Sequence, residues 1–212
     1  AFLDWKRIDY SEAPATRDIY RDVIMPRVGW PVIPVVLGPG DEVLQDTSDI
    51  IDILDARHGP PSVFPDGPVQ KLAALLLELY GDEWLVLPAM HYRWSYNRDF
   101  AYSEFGKLSA PEAPAEEQYE IGRANAKNFE GALPVLGIDA RTASAIESGY
   151  CEMLDQLDAH FARHEMLLGS RPSIGDFGLF GPLYAHQYRD PESGKLMRER
   201  APNLVRWVET LR

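Results

Sequence analysis

Trp30-Pro-Val-Ile-Pro-Val-Val-Leu-Gly-Pro-Gly-Asp-Glu-Val-Leu-Gln-Asp-Thr-Ser-Asp-Ile-Ile-Asp52 is the stretch on which the fold turns. Val35 to Leu37 and Val43 to Gln45 are β-prone runs, and Gly38-Pro39-Gly40-Asp41 between them supplies the turn chemistry of a hairpin. Asp46-Thr47-Ser48 then offers cap oxygens to a helix running from Ser48 to His58, with Ile50, Ile51, Ile53 and Leu54 as its apolar face. Pro34 pushes Ile33 into an extended conformation and makes the Ile33-Pro34 bond a candidate cis peptide. Exposed amides at the start of the following helix attract a carboxylate, so a peptide acid fits this place.

Working outward, Leu3 to Ile8 alternates enough to predict a strand, and Pro14 to Val23 a short helix or irregular turn. Gly59-Pro60-Pro61-Ser62 stops the helix, and Phe64-Pro65-Asp66-Gly67-Pro68 extends the break into a linker over 61–67. Beyond it the chain reads as helix. A first long helix begins near Gly67, and Pro88 is expected to kink or divide it before it resumes through His91, Tyr92, Trp94 and Tyr96. Ser103 to Ala115, polar and with two prolines, predicts a loop, and Glu116 to Leu133 a helix. Asp139 is expected to cap a long helix through Phe161 and Leu167 that Gly169 closes. Ser173 and Asp176 stand at the spacing of a capping box, with Asp in place of the usual Glu, and Pro202 opens a terminal helix whose Leu204 and Trp207 pack inward.

The chain has 212 residues, of which 45% are hydrophobic and 25% charged, enough for one or two cores. Its formal charge of -12 excludes a nucleic-acid partner in the absence of a segregated basic stripe. One cysteine rules out an internal disulfide framework and points to a reducing, cytoplasmic setting. No apolar run has the length of a membrane span, and the N-terminal residues are too short and polar a run for a signal peptide.

The hairpin and capped helix resemble the glutathione-binding half of the thioredoxin-like domain of the cytosolic glutathione transferases. The Ser173/Asp176 box and the Pro202 helix are similar to the N-capping motif and terminal helix of that family's helical domain. The resemblance implies an α+β arrangement: a thioredoxin-like α/β domain over residues 1–60, incomplete at its start, and an all-α domain over 68–212. It implies that Ile33 and Pro34 hold the cysteinyl part of glutathione, that Asp46 and Thr47 hold its γ-glutamyl end, and that His91, Tyr92, Trp94 and Tyr96 line the cleft for an apolar electrophile. Ser173 and Asp176 are then a structural cap.

On the same comparison Leu3 to Ile8 corresponds to the family's second strand, so the activating Ser, Tyr or Cys is expected upstream of Ala1. Val32 stands where many members carry a polar side chain, and Arg17 or Arg27 is the candidate cation for the glycyl carboxylate. A homodimer with contacts through the α/β domain and the first long helix is implied, with glutathione as co-substrate and no metal. A non-catalytic interaction or assembly module and an apolar-ligand carrier are the alternative functions. Cys151 reads as a small buried hydrophobe, and His160 and His164, four apart beside Glu165, read as a solvated helix end rather than a zinc site.

Overall fold

The computed structural model describes residues 1–212. Strands β1 (Val35–Leu37) and β2 (Val43–Gln45) form an antiparallel hairpin with Val35 opposite Gln45, Val36 opposite Leu44 and Leu37 opposite Val43. Gly40 takes φ +73° in the turn, a conformation open to glycine at little cost. The same half of the chain holds helices α1 (Phe2–Lys6), α2 (Arg17–Ile19), α3 (Met25–Val28) and α4 (Thr47–His58), of which α3 and α4 pack on β2 and α1 packs on α4; a π-helical turn over Tyr20–Ile24 joins α2 to α3. Ile50, Ile51 and Leu54 of α4 are buried, as the apolar spacing requires.

The remainder is all helical: α5 (Pro68–Leu79), α6 (Val86–Tyr96), α7 (Arg98–Ser109), α8 (Ala115–Ala132), α9 (Ala143–Phe161), α10 (Ile174–Pro182), α11 (Pro191–Arg200) and α12 (Pro202–Leu211). Its main core joins α4 to α9, α10 and α12 through residues such as Leu54, Leu154, Leu179, Leu204 and Trp207. A smaller core, built on Met90, Trp94, Tyr102 and Ala126, fastens the α7–α8 hairpin to α6.

Four expectations are corrected. Residues 2–6 are helical, not a strand. Phe2 and Trp5, three apart, both reach the Phe177 ring, at 5.5 and 6.2 Å, and α1 ends where Arg7 adopts a left-handed conformation. Three apolar residues spread over six positions, Leu3, Trp5 and Ile8, satisfy either period, and packing on α10 selects the helical one. Secondly, Ser103 to Ser109 belongs to α7, so the expected loop shrinks to 110–114. Its polar residues are a solvent face, braced by Lys107 on Glu104 at 2.8 Å. Its other face meets α8 so closely that a Cβ at Gly106 would lie 1.8 Å from the Gln118 carbonyl oxygen, and one at Gly122 1.8 Å from that of Tyr102.

Thirdly, the long helix after Gly67 breaks ahead of Pro88, in a π-helical turn over Tyr80–Trp84. Gly81 there packs on α10, where a Cβ would stand 2.4 Å from the Gly178 carbonyl oxygen. Pro88 falls in the first turn of α6, where its missing N–H costs nothing. Finally, Asp139 accepts the Arg141 N–H at 2.7 Å and so closes a turn, while α9 starts after Thr142 and stops at Phe161, short of Leu167. The Leu167 N–H is instead held by Asp176 at 2.9 Å.

Candidate functional site

The hairpin register positions the site. Because Val35 pairs with Gln45, Ile33-Pro34 just before β1 and Asp46-Thr47 just after β2 emerge at the same end of the sheet. The Ile33-Pro34 peptide is cis, and Ile33 is half exposed. Asp46 takes φ 75° and accepts the Ser48 N–H on Oδ1 at 3.0 Å, which caps α4, while the Thr47 and Asp49 N–H groups of its first turn have no hydrogen-bond partner in the protein.

From the helical half, α5 and the π-helical turn after it bring carboxylates to the same place. The Ser48 hydroxyl donates to Glu78 Oε1 at 2.7 Å, joining α4 to α5. Burial, with Asp52 and Asp46 nearby, raises the Glu78 carboxyl above the usual range, although the Ser48 hydrogen bond opposes this. Asp82, one turn on, is pushed up to about 6 by partial burial of its carboxyl and by the neighbouring carboxylates of Glu78, Asp46 and Glu83, although the residue as a whole is exposed. Capped amides and crowded carboxylates thus lie together, an arrangement suited to a zwitterionic amino-acid group. Sequence reasoning missed Glu78 and Asp82. Their signal was an acidic pair four apart on an otherwise apolar helix.

The four aromatic positions of the expected cleft separate. Trp94 is fully buried between α6, α7 and α8, its indole N–H on the Met90 sulfur at 3.3 Å, so it is a packing residue and lines no cleft. Tyr92 and His91 are also buried; His91 Nε2 lies 2.8 Å from Glu147 Oε1, which also accepts the Tyr96 hydroxyl at 2.6 Å. Those two hydrogen bonds, Tyr96 first, hold the Glu147 carboxyl below its ordinary range. Only Tyr96 is open to solvent, at 54%. An apolar cavity of about 380 Å³ lies nearby along the seam of α6 and α9, but none of the four lines it.

Arg27 is exposed and donates to the Val23 carbonyl at 3.0 Å. Cys151 is half-buried on α9. The His160 and His164 rings lie 4.7 Å apart, His160 Nε2 faces the Met166 carbonyl at 3.1 Å, and no three His, Cys, Asp or Glu side chains converge as a metal ligand set. No helix is long and apolar enough to cross a membrane.

At the opening of α10, Asp176 is buried and works on four groups. Its Oδ2 accepts the Ser173 N–H and hydroxyl, both at 2.8 Å, and its Oδ1 accepts the Leu167 N–H at 2.9 Å and the Trp207 indole N–H at 3.3 Å. One carboxylate thereby ties α10 to the loop after α9 and to α12.

A two-stranded sheet with helices, followed by an all-helical domain with a buried capping box, defines the glutathione transferase fold. Residues 1–62 match the model of the glutathione S-transferase N-terminal domain and residues 145–210 that of the glutathione S-transferase C-terminal domain. The chain belongs to the glutathione S-transferase family. Solved structures agree on the fold. The β-etherase LigF from Sphingobium sp. strain SYK-6 superimposes with a TM-score of 0.65 at 14% identity, over 99% of this chain and 87% of that one. A glutathione S-transferase from Rhodospirillum rubrum F11 gives 0.57 at 17%, over 99% and 79%. One from Methylobacterium radiotolerans JCM 2831, in complex with glutathione sulfonate, gives 0.55 at 21%, over 99% and 81%. No curated protein sequence matches the chain.

Proposed function

We propose that the protein binds glutathione at the open end of the β1–β2 hairpin and transfers it to an apolar electrophile in a cytoplasmic setting. The observation that carries this is the meeting of the α4 N-terminus with Glu78 of α5 and Asp82 of the turn after it. The γ-glutamyl end of glutathione bears a carboxylate and an ammonium on one carbon. First-turn amides beside Asp46 and Thr47 suit the carboxylate, and Glu78 and Asp82 suit the ammonium. Ile33 and Pro34, two residues outside the ladder, offer backbone groups to the cysteinyl amide. The glutathione sulfonate complex of the Methylobacterium relative supports the same ligand class.

Tyr96, exposed at the end of α6 and fixed by Glu147, is the part of the expected electrophile cleft that solvent reaches. Family homodimerisation is supported by an uncovered apolar stripe on α5: Val69, Leu72, Leu76 and Leu79 follow one helical face and are 80%, 58%, 56% and 56% exposed.

Titration with glutathione tests the proposal. Saturable heat and a raised melting temperature are expected, and both are expected to shrink when Ser48 or Glu78 is replaced. The absence of both signals in the native protein would sink it. Thioether formation from glutathione and a reactive aryl halide separates a transferase from a non-catalytic module of the same fold.

A further inference from the structure

α6 and α9 carry a constellation that the glutathione reading does not use. The two ring nitrogens of His91 each meet an oxygen: Nε2 is 2.8 Å from Glu147 Oε1, and Nδ1 is 3.3 Å from the hydroxyl of Ser95, one turn further along α6. Carboxylate, imidazole and hydroxyl in a row are the parts of an activated serine, in which the base touches the nucleophile and a third group orients the base. We propose that Ser95 is a nucleophile, with His91 as its general base and Glu147 positioning that base, and that the protein hydrolyses small uncharged aryl esters there without glutathione.

The tautomer follows from the partners. Hydrogen bonds from Tyr96 and His91 hold the Glu147 carboxyl below its ordinary range, so it is ionised and only accepts. His91 Nε2 therefore carries a proton, and in the neutral ring Nδ1 is bare and accepts the Ser95 hydroxyl. The ring is fixed in this orientation: it is buried, and Tyr92 and Tyr96 stand edge-to-face with it at 5.5 and 5.7 Å. Ser95, in contrast, is exposed, so a substrate reaches its hydroxyl while the base behind it is shielded. The Ser95 hydroxyl bonds only within its own helix, so it ties no two elements of the fold together.

As the Ser95 oxygen bonds to the ester carbon, its proton passes to His91 Nδ1, and the imidazolium so formed lies against the Glu147 carboxylate. The tetrahedral adduct collapses by breaking the bond to the aryl oxygen, which leaves as the phenol with that proton. Water then attacks the acyl-serine, giving a proton to His91 that returns to Ser95 as the carboxylic acid departs. N–H donors for the developing oxyanion are close in the chain: α7 opens three residues after Ser95, and the Arg98, Asp99 and Phe100 N–H groups of its first turn have no hydrogen-bond partner in the protein. The exposed Tyr96 ring beside Ser95 suits an aromatic leaving group, and a net charge of -12 disfavours an anionic ester.

A fluorophosphonate probe and p-nitrophenyl acetate, both used without glutathione, test this on the native protein, so neither result depends on the hairpin site. One phosphonyl adduct per chain, located on Ser95 by peptide mass spectrometry, is expected, with an initial burst of about one p-nitrophenolate per chain. Ser95→Ala exchanges an exposed residue for a better helix former; it is expected to keep the melting temperature, lose the adduct and lower ester hydrolysis by about a hundredfold. Glu147→Gln keeps the shape but removes the charge that steadies the imidazolium, and is expected to lower kcat by about tenfold or more with KM unchanged. A native protein that takes no adduct at Ser95 would overturn the proposal. So would ester hydrolysis that persists undiminished in folded Ser95→Ala.

Discussion

Replacing Asp176 by Ala probes the joint on which the helical domain depends. The carboxylate is fully buried and serves the Ser173 N–H, the Leu167 N–H, the Trp207 indole N–H and the Ser173 hydroxyl. The hydroxyl can turn to another acceptor, but the three N–H donors are fixed by backbone and ring. Each buried donor left unpaired costs about 1–3 kcal/mol. Allowing for relaxation and for the long indole contact, the loss comes to about 4 kcal/mol, a large share of the 5–15 kcal/mol that holds a typical domain. Asp176→Asn is expected to lose about 2 kcal/mol. Its amide oxygen still serves Leu167 and Trp207, but its NH2 confronts the Ser173 N–H. Ser173→Ala removes a single hydroxyl contact and loses about 1 kcal/mol. Urea unfolding followed by far-ultraviolet circular dichroism, with m-values compared, measures the series. The order Ala, then Asn, then Ser173→Ala is the expected result. A loss below about 1.5 kcal/mol for Asp176→Ala would refute the assignment of all three donors to one carboxylate.

Four further outcomes are expected. Gly106→Ala or Gly122→Ala drives a methyl into facing backbone and is expected to cost about 3 kcal/mol, while Gly131→Ala, where a Cβ meets nothing, is neutral or slightly stabilising; thermal melts compare them. Lys6→Met removes a buried ammonium that donates to Asp55 at 2.9 Å and to the Gly59 and Pro61 carbonyls, for a loss of about 3–5 kcal/mol. Burial opposes ionisation of Asp55, but hydrogen bonds from Ser62, Lys6 and the Val63 N–H outweigh it and depress its pKa. Its contribution is therefore complete above the ordinary value of 3.8 and lost as pH falls through the lower folded value, which acid unfolding of the native protein against Asp55→Asn reads. Lastly, Asp82 sits at about 6 and must be ionised to hold an ammonium, so glutathione affinity is expected to weaken as pH falls through 6. Asp82→Asn should flatten that limb in calorimetric titrations at several pH values. Its cost at neutral pH should be small, about 0.2–1 kcal/mol, because the carboxyl is only partly buried and solvent screens the pair.

How much was legible in the sequence differs from segment to segment. The hairpin, the capped α4, the Ser173/Asp176 box and the Pro202 helix are local patterns, each specified by residues within a few positions of one another, and the structure has them where the pattern lies. The strand expected over Leu3–Ile8 failed because three apolar residues spread over six positions fit two periods, and only the Phe177 ring across the core chose between them. The loop expected over Ser103–Ala115 failed because a polar helix face and a polar loop have the same composition. The contact that makes it helix lies in Gly106 and Gly122, sixteen residues apart.

The candidate site divides in the same way. Turn residues, strand runs and a cap oxygen sufficed to place Ile33, Pro34, Asp46 and Thr47 around one hairpin, because strand register is a local property. Sequence alone therefore determined the family and which residues stand together at the end of the hairpin. Tertiary structure decided what that end faces, bringing Glu78 to Ser48 and Asp82 into the field of Asp46 from thirty or more residues away. It also decided that Trp94 is core while Tyr96 is surface, and that Tyr80 and Trp84 open onto a cavity with α9. The physical reason is that periodicity tells which residues share a helix face, whereas what that face meets depends on how helices distant in sequence pack.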